Sequence, residues 1–120
     1  MTKEEFAEAM HRTGQLSVDA VVRSLKSPPG RRPGRKLVES SEWYRGLSDE
    51  DKERLRRVMV RLAHQTVFSI LVALDGADVI TDEDGEFRLS FVPEEGEEVV
   101  LAPTSTGLDL HDLLPHPEDL

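Results

Sequence analysis

One long helical segment, residues 48–74, constrains the fold of this chain more than any other feature of its sequence. Ser48 suits the N-cap position, because its hydroxyl can accept a hydrogen bond from a free backbone N–H. Three acidic residues follow it, where they favour the positive end of the helix dipole. At the other end, Gly76 follows Asp75 and suits the C′ position, where a left-handed conformation ends a helix. The segment therefore predicts a single helix over residues 48–74.

The two sides of this helix carry different sets of side chains. At about 100° per residue, one side is an apolar stripe, made of Leu55, Met59, Leu62, Thr66, Ile70 and Ala73. From Val67 onward the opposite side is also apolar, with Phe68, Leu71 and Val72. A helix that is apolar on both sides must be covered on both sides. We expect N-terminal helices to cover the stripe and a β-sheet to cover the other side.

The N-terminal region has the pattern of two short helices. Thr2 and Glu5 have the spacing of a capping box, which predicts a helix that runs to about Arg12 and is interrupted near Gly14. Ser17 can cap a second helix, whose apolar stripe is Val18, Val21, Val22 and Leu25. These two helices are the expected cover for the stripe of the central helix.

The segment 26–36, KSPPGRRPGRK, is incompatible with regular structure because of its three prolines and two glycines. Its basic side chains, above all Arg31, Arg32 and Arg35, are candidate binding residues, since arginine matches phosphate oxygens. No aromatic residue is present to stack on a base, and the rest of the chain is acidic, so nucleic acid is an unlikely partner. We expect a mobile basic surface loop.

The next segment, residues 37–47, predicts a short helix or turn that Gly46 closes. It contains Trp43 and Tyr44, the single Trp and single Tyr of the chain. Adjacent residues on a helix point about 100° apart, so we expect one to be buried and the other to be exposed. The favoured arrangement has Trp43 in the core; if both were exposed, they would mark a binding patch.

The period changes after Gly76, and residues 78–102 predict a three-stranded antiparallel β-meander. The expected strands are Val79–Ile80, Glu86–Val92 and Glu97–Leu101, in which Phe87, Leu89 and Phe91 alternate with polar residues. A helical turn should follow near residues 108–114, with a frayed C-terminus at 115–120. Helices on one side of a small sheet give an α+β fold, and 120 residues suit a single domain.

Charge is distributed unevenly along the chain. Residues 75–120 contain one arginine and fourteen acidic residues, a net charge of −13, whereas the whole chain carries −9. This acidic half suits a basic protein partner and discourages nucleic-acid binding. The sequence has no cysteine and no apolar N-terminal segment, and its longest apolar run is shorter than a membrane span. We expect a cytoplasmic protein that does not enter a membrane.

Two classes of function fit these observations, and no catalytic or cofactor-binding motif decides between them. The first is a protein-binding module, similar in role to an inhibitor or immunity protein, that uses the acidic half. The alternative is a small hydrolase or ligand-binding domain with a pocket near His64, Asp75 and His111. His111, Asp112 and His116 match no common zinc pattern, so we expect neither metal nor cofactor. A homodimer is expected if a face of the central helix stays uncovered.

Overall fold

The computed structural model describes all 120 residues of the chain. The fold is helix-dominated α+β, with three α-helices, one two-stranded antiparallel sheet and two short 3-10 turns. The helices are α1 (Lys3–Lys26), α2 (Arg35–Arg45) and α3 (Asp49–Leu74), and the strands are β1 (Leu89–Phe91) and β2 (Val99–Ala102). The 3-10 turns span His111–Leu113 and Pro117–Asp119.

Three of the predicted helix ends, at Thr2, Ser48 and Gly76, are confirmed by the structure. The hydroxyl of Thr2 accepts from the backbone N–H of Glu5 at 3.1 Å, and the Glu5 carboxylate accepts from the N–H of Thr2 at 3.0 Å. The Ser48 hydroxyl accepts from the N–H of Asp51 at 3.1 Å. Gly76 has φ of +77°, the left-handed conformation expected after α3.

The predicted interruption near Gly14 is wrong, because α1 is one continuous helix. Gly14 lies against α3: a Cβ atom at this position would stand 3.4 Å from Cγ2 of Val67 and 3.8 Å from Cβ of Ala63. A glycine inside a helix costs about 1 kcal/mol relative to alanine. Gly14 lies at the close approach of α1 and α3, although a methyl group would also fit there at ordinary contact distance.

This close approach also decides which side of α3 faces α1, and it differs from the predicted side. Ala63 and Val67 meet α1, whereas Leu62 and Ile70 keep 65% and 55% of their surface exposed. Small side chains allow two helices to approach closely, and Gly14 of α1 meets Ala63 of α3 at this contact. The apolar stripe that was predicted to meet the N-terminal helices is therefore largely uncovered.

By length and composition alone, α3 is also a helix that could cross a membrane, and only 17% of its most apolar 18-residue stretch is buried within the chain. The prediction that the chain does not enter a membrane rested on the length of its longest apolar run alone. Eight of the nine residues from Asp49 to Arg57 are charged, and these occupy the first third of the helix.

The sheet has two strands, and the predicted third strand is not confirmed. Strands β1 and β2 pair with Leu89 opposite Ala102 and Phe91 opposite Val99. Residues 79–80 are exposed and unpaired. A two-residue strand forms too few ladder hydrogen bonds to offset the entropy lost when its backbone is ordered.

The core lies where the end of α3 meets the sheet and the C-terminal segment. Leu71, Ala102 and Leu110 are fully buried together, and Leu89 packs against them, so the apolar side containing Leu71 meets the sheet as expected. Phe91 and Phe87 are exposed instead. The irregularity in pairing between Leu89 and Ser90 breaks the alternation, so Leu89 points inward without Phe91.

Candidate functional site

Asp75, the residue after α3, joins the end of that helix to the C-terminal segment. Its side chain is 2% exposed. Oδ1 accepts a hydrogen bond from the backbone N–H of Leu110 at 3.1 Å, and Oδ2 accepts one from the N–H of His111 at 3.0 Å. The same Oδ2 lies 2.7 Å from Nδ1 of the His111 ring. Three donors therefore converge on one buried carboxylate.

This contact sets the orientation of the His111 imidazole. An ionised carboxylate can only accept hydrogen bonds, so Nδ1 carries the ring proton. When the ring carries this one proton, Nε2 is an acceptor; it lies 3.5 Å from Oδ1 of Asp112. A histidine held this way by a buried carboxylate resembles both oriented general bases and metal-ligating histidines in local geometry.

His64 lies on α3, three turns before Asp75, and is only 7% exposed. Its Nδ1 atom is buried and has no hydrogen-bond partner. Burial lowers the pKa of His64 below its ordinary value, and the neighbouring charges of His11 and His116 lower it further. His64 therefore favours its neutral form in the folded protein.

Phe68 connects the two imidazoles that the sequence suggested as site residues. Its ring centroid is 6.4 Å from that of His64 and 5.5 Å from that of His111. Both histidines line one open cleft of about 460 Å³, whose wall also includes Gln65, Phe68, Asp112, Leu114, Pro115, His116 and Pro117. Asp75 is absent from this wall, because it stands behind His111.

The structure adds two histidines to the three residues predicted for the pocket. The His11 ring lies 6.3 Å from the His64 ring, and His116 lines the cleft. All four histidines of the chain thus gather around His64. Nothing in their sequence spacing shows this, because only the packing of α1 and the C-terminal segment on α3 brings them together.

The chemistry available in this cleft is limited by its lining. No serine, threonine, cysteine or lysine contributes to it, so it contains no hydroxyl, thiol or amine nucleophile. Nε2 of His111 is an acceptor that could take a proton from a water molecule. Beside it, ligand atoms of Asp109, His111 and Asp112 lie within 4.8 Å of one another and are the residues that could hold a cation.

As expected, one member of the aromatic pair on α2 is buried and the other is exposed, but the buried residue is Tyr44 and not Trp43. Tyr44 is 4% exposed, and the ammonium of Lys52 lies 5.4 Å from its ring centroid. Trp43 is 57% exposed, so the expectation that it anchors the core is wrong. Tyr44 lies one turn after Ser41, whose hydroxyl donates to the carbonyl of Leu25 in α1. Tyr44 and Ser41 therefore share one side of α2, and Trp43 is the surface member of the pair.

The basic segment lies away from the cleft. Its irregular part is shorter than predicted, because α1 continues to Lys26 and α2 begins at Arg35. Arg31 and Arg32 are exposed, and Nε of Arg35 pairs with the carboxylate of Glu39 at 3.1 Å. No ion pair joins this segment to the acidic half of the chain.

Comparison of the chain with protein-family models, with curated proteins and with solved structures finds no match.

Proposed function

We propose that this protein is a protein-binding module, with an inhibitor-like or immunity-like role, that binds a basic partner through residues 78–98. We call this segment the acidic arm. Its nine acidic side chains are all exposed: Asp78, Asp82, Glu83, Asp84, Glu86, Glu94, Glu95, Glu97 and Glu98.

This proposal rests on one observation: almost all carboxylates of the acidic arm lack a basic partner within the chain. Arg88 is its only basic residue, and it pairs with Glu86 at 3.2 Å. No other arm carboxylate takes part in an ion pair, and no ion pair joins the arm to the basic segment. Eight like charges on a short segment repel one another, and a basic protein surface would relieve that repulsion.

The arm also carries apolar side chains that a protein surface could cover. Val79, Ile80, Phe87 and Val92 are all exposed and lie between the acidic residues. Apolar anchors supply most of the affinity in protein interfaces, while surrounding charges govern partner choice and the rate of association. This combination favours a basic protein with an apolar patch over a simple polycation.

The test compares two triple variants with the same change in net charge. One variant neutralises the arm with Asp82→Asn, Glu83→Gln and Asp84→Asn. The control neutralises exposed helical acids with Glu8→Gln, Glu42→Gln and Glu53→Gln. Proteins captured on immobilised wild type at low salt are eluted with a salt gradient and identified.

We expect a basic protein that wild type and the control retain and that the arm variant releases at lower salt, because exposed charges are screened over about 10 Å at 0.1 M salt. Equal retention on the wild type and the arm variant would refute the role of the arm. A captured partner that is acidic, or whose binding is indifferent to salt, would do the same.

A second candidate function rests on the oriented imidazole in the cleft. The bond between Asp75 and Nδ1 of His111 leaves Nε2 facing the same cleft as His64. This geometry supports a ligand-binding or hydrolytic site in which His111 acts as a general base toward water. It is the sequence-based alternative, now with a defined role for each of the three residues: His111 as base, Asp75 as its positioning residue and His64 as part of the cleft wall.

Hydrolysis of p-nitrophenyl acetate provides the test of this candidate. We expect His111→Gln to reduce the rate, while His11→Gln, which removes an imidazole outside the cleft wall, leaves it close to that of wild type. Equal rates for wild type and His111→Gln would refute a catalytic role. An equal loss of hydrolysis rate in both variants would show that the histidines act only as free imidazole groups do.

A further inference from the structure

We propose that this chain forms a homodimer through one side of α3 and the adjoining groove on α1. We call the α3 part the open face: it consists of the exposed residues Val58, Leu62, Thr66, Ser69 and Ile70. No charged residue occurs from Leu62 to Leu74, so the second half of this face is uninterrupted by charge. This inference does not rest on the function proposed above.

The overall dimensions show that the chain by itself leaves much surface uncovered. Its accessible surface is 9004 Å², whereas a compact monomer of 13.5 kDa has about 6,500 Å². The radius of gyration is 18.3 Å, against about 14 Å for a compact domain of 120 residues. The extended acidic arm contributes to this excess, as does the open face. A stable interface buries about 800 Å² on each partner, which the excess readily supplies.

The open face is bordered by two hollows that meet at one residue. The first, of about 440 Å³, lies between α1 and α3 and includes Val21 and Leu62. The second, of about 470 Å³, lies at the end of α3 and includes Ile70 and Phe87. Thr66 lines both hollows. Thr66 is therefore the small residue at the centre of the open face. Leu62 and Ile70 project on either side of it, and one hollow lies beside each of them.

That pattern is self-complementary under a two-fold rotation. Leu62 and Ile70 each lie four residues from Thr66, in opposite directions along the helix. A two-fold axis near Thr66 places Leu62 of one copy over the hollow beside Ile70 of the other, and the reverse contact follows by symmetry. The interface then resembles the packing of α1, α3 and their two symmetry mates in a four-helix bundle.

Charge at the two ends of the face favours the antiparallel arrangement that this axis requires. Arg57 and Arg61 are exposed beside Val58 and Leu62, where the open face begins, and form no ion pair within the chain. The acidic residues 78–86 follow the end of α3. Antiparallel helices bring these two arginines of one copy toward the acidic residues that follow α3 in the other, whereas parallel helices would bring like charges together.

The same features select a second copy over a lipid bilayer as the occupant. The uncharged part of α3, from Leu62 onward, is shorter than the roughly 20 apolar residues that a membrane span requires. The open face also includes Thr66 and Ser69, which suit helix–helix contact. The opposite side of α3 is already covered by α1 and by the core around Leu71.

The first test measures mass in solution by sedimentation, from low to several hundred micromolar protein. We expect wild type to have twice the chain mass of 13.5 kDa, about 27 kDa, and Leu62→Glu to have the chain mass with unchanged helical circular dichroism. The matched control is Leu108→Glu, which places the same charge on an exposed leucine outside the open face and should remain dimeric.

The second test determines the direction of the helices. The chain contains no cysteine, so a single introduced thiol reports only on its own position. Oxidation should link two copies of Thr66→Cys, which lies at the axis. It should not link Val58→Cys, because antiparallel packing moves the two copies of residue 58 far apart. Efficient linkage at both positions would indicate parallel helices and overturn the proposed axis.

A monomeric wild type throughout this concentration range would overturn the dimer. In that event, binding of the monomer to phosphatidylcholine vesicles, lost in Leu62→Glu, would assign the open face to a lipid surface. Absence of vesicle binding would assign it to a different protein. A Leu62→Glu variant that stays dimeric would place the interface elsewhere on the chain and would also refute the proposal.

Discussion

Replacing His64 with leucine removes the buried side-chain atom that has no hydrogen-bond partner, Nδ1 of that imidazole. A buried polar group without a partner costs about 1–3 kcal/mol, and leucine has a similar volume without this cost. We therefore expect His64→Leu to raise the free energy of unfolding by about 1–3 kcal/mol. With about 0.25 kcal/mol/K of unfolding entropy for a chain of this length, the melting temperature should rise by about 4–12 °C.

The gain should depend on pH in a defined direction. In the folded protein, burial and then the charges of His11 and His116 lower the pKa of His64, whereas in the unfolded chain it lies at about 6.5. The unfolded state therefore binds more protons as the pH falls. The stability that neutral His64 contributes is complete above about pH 6.5 and is lost as the pH falls toward the folded-state pKa. The advantage of His64→Leu should grow over that interval.

Urea denaturation followed by circular dichroism, from about pH 5 to about pH 8, measures both effects. Protein concentration must be constant, since self-association would raise apparent stability. His11→Gln is the control, because it removes a neighbouring charge but keeps the buried ring, and should only reduce the pH dependence. A His64→Leu variant that is less stable than wild type at about pH 8, or that keeps the wild-type pH dependence, would refute this reasoning.

Three further substitutions test the contacts that hold the elements together, each by the free energy of unfolding in urea. Asp75→Ala leaves three donors without their carboxylate and should lose about 3–5 kcal/mol, whereas Asp82→Ala, at an exposed arm residue, should change stability by less than about 0.5 kcal/mol. Ser41→Ala removes the buried bond that its hydroxyl donates to the carbonyl of Leu25 at 2.6 Å and should lose about 1–3 kcal/mol. Gly14→Ala should gain about 0.5–1 kcal/mol, since a methyl group fits at ordinary contact distance and alanine favours helix.

Each of these expectations has a contrary result. Equal stability of the Asp75→Ala and Asp82→Ala variants would show that the C-terminal segment does not depend on the buried carboxylate. A Ser41→Ala variant as stable as wild type would mean that the Leu25 carbonyl finds another donor. A loss of stability in Gly14→Ala would show that α1 and α3 are packed too closely at this point to accept a single methyl group.

The local rules of helix formation determined much of this fold from sequence. The caps at Thr2 and Ser48 and the ending at Gly76 are interactions between residues a few positions apart, and all three occur as predicted. For the same reason, the adjacent residues Trp43 and Tyr44 could be assigned to different sides of a helix, one buried and one exposed. Which of the two is buried depends on where α1 lies, and that assignment was wrong.

The orientation of α3 was decided only by the tertiary structure. Periodicity identifies two apolar sides of that helix but cannot choose which one its neighbour covers. In the folded protein, α1 meets Ala63 and Val67 at Gly14 and leaves Leu62 exposed. A local reading treats the same glycine as an interruption, because its packing partner lies about fifty residues away in sequence.

The candidate site shows the same division. The amino-acid types at His64, Asp75 and His111 made them candidates, and the turn chemistry at the end of α3 explains the position of Asp75. Their arrangement, with Asp75 holding His111 and Phe68 between the two imidazoles, depends on a C-terminal segment that returns to α3 after the sheet. The sequence alone determines local hydrogen bonding and the amphipathic pattern of each helix and strand. Contacts between distant residues depend on how these elements pack, because the burial of each one depends on the positions of all the others.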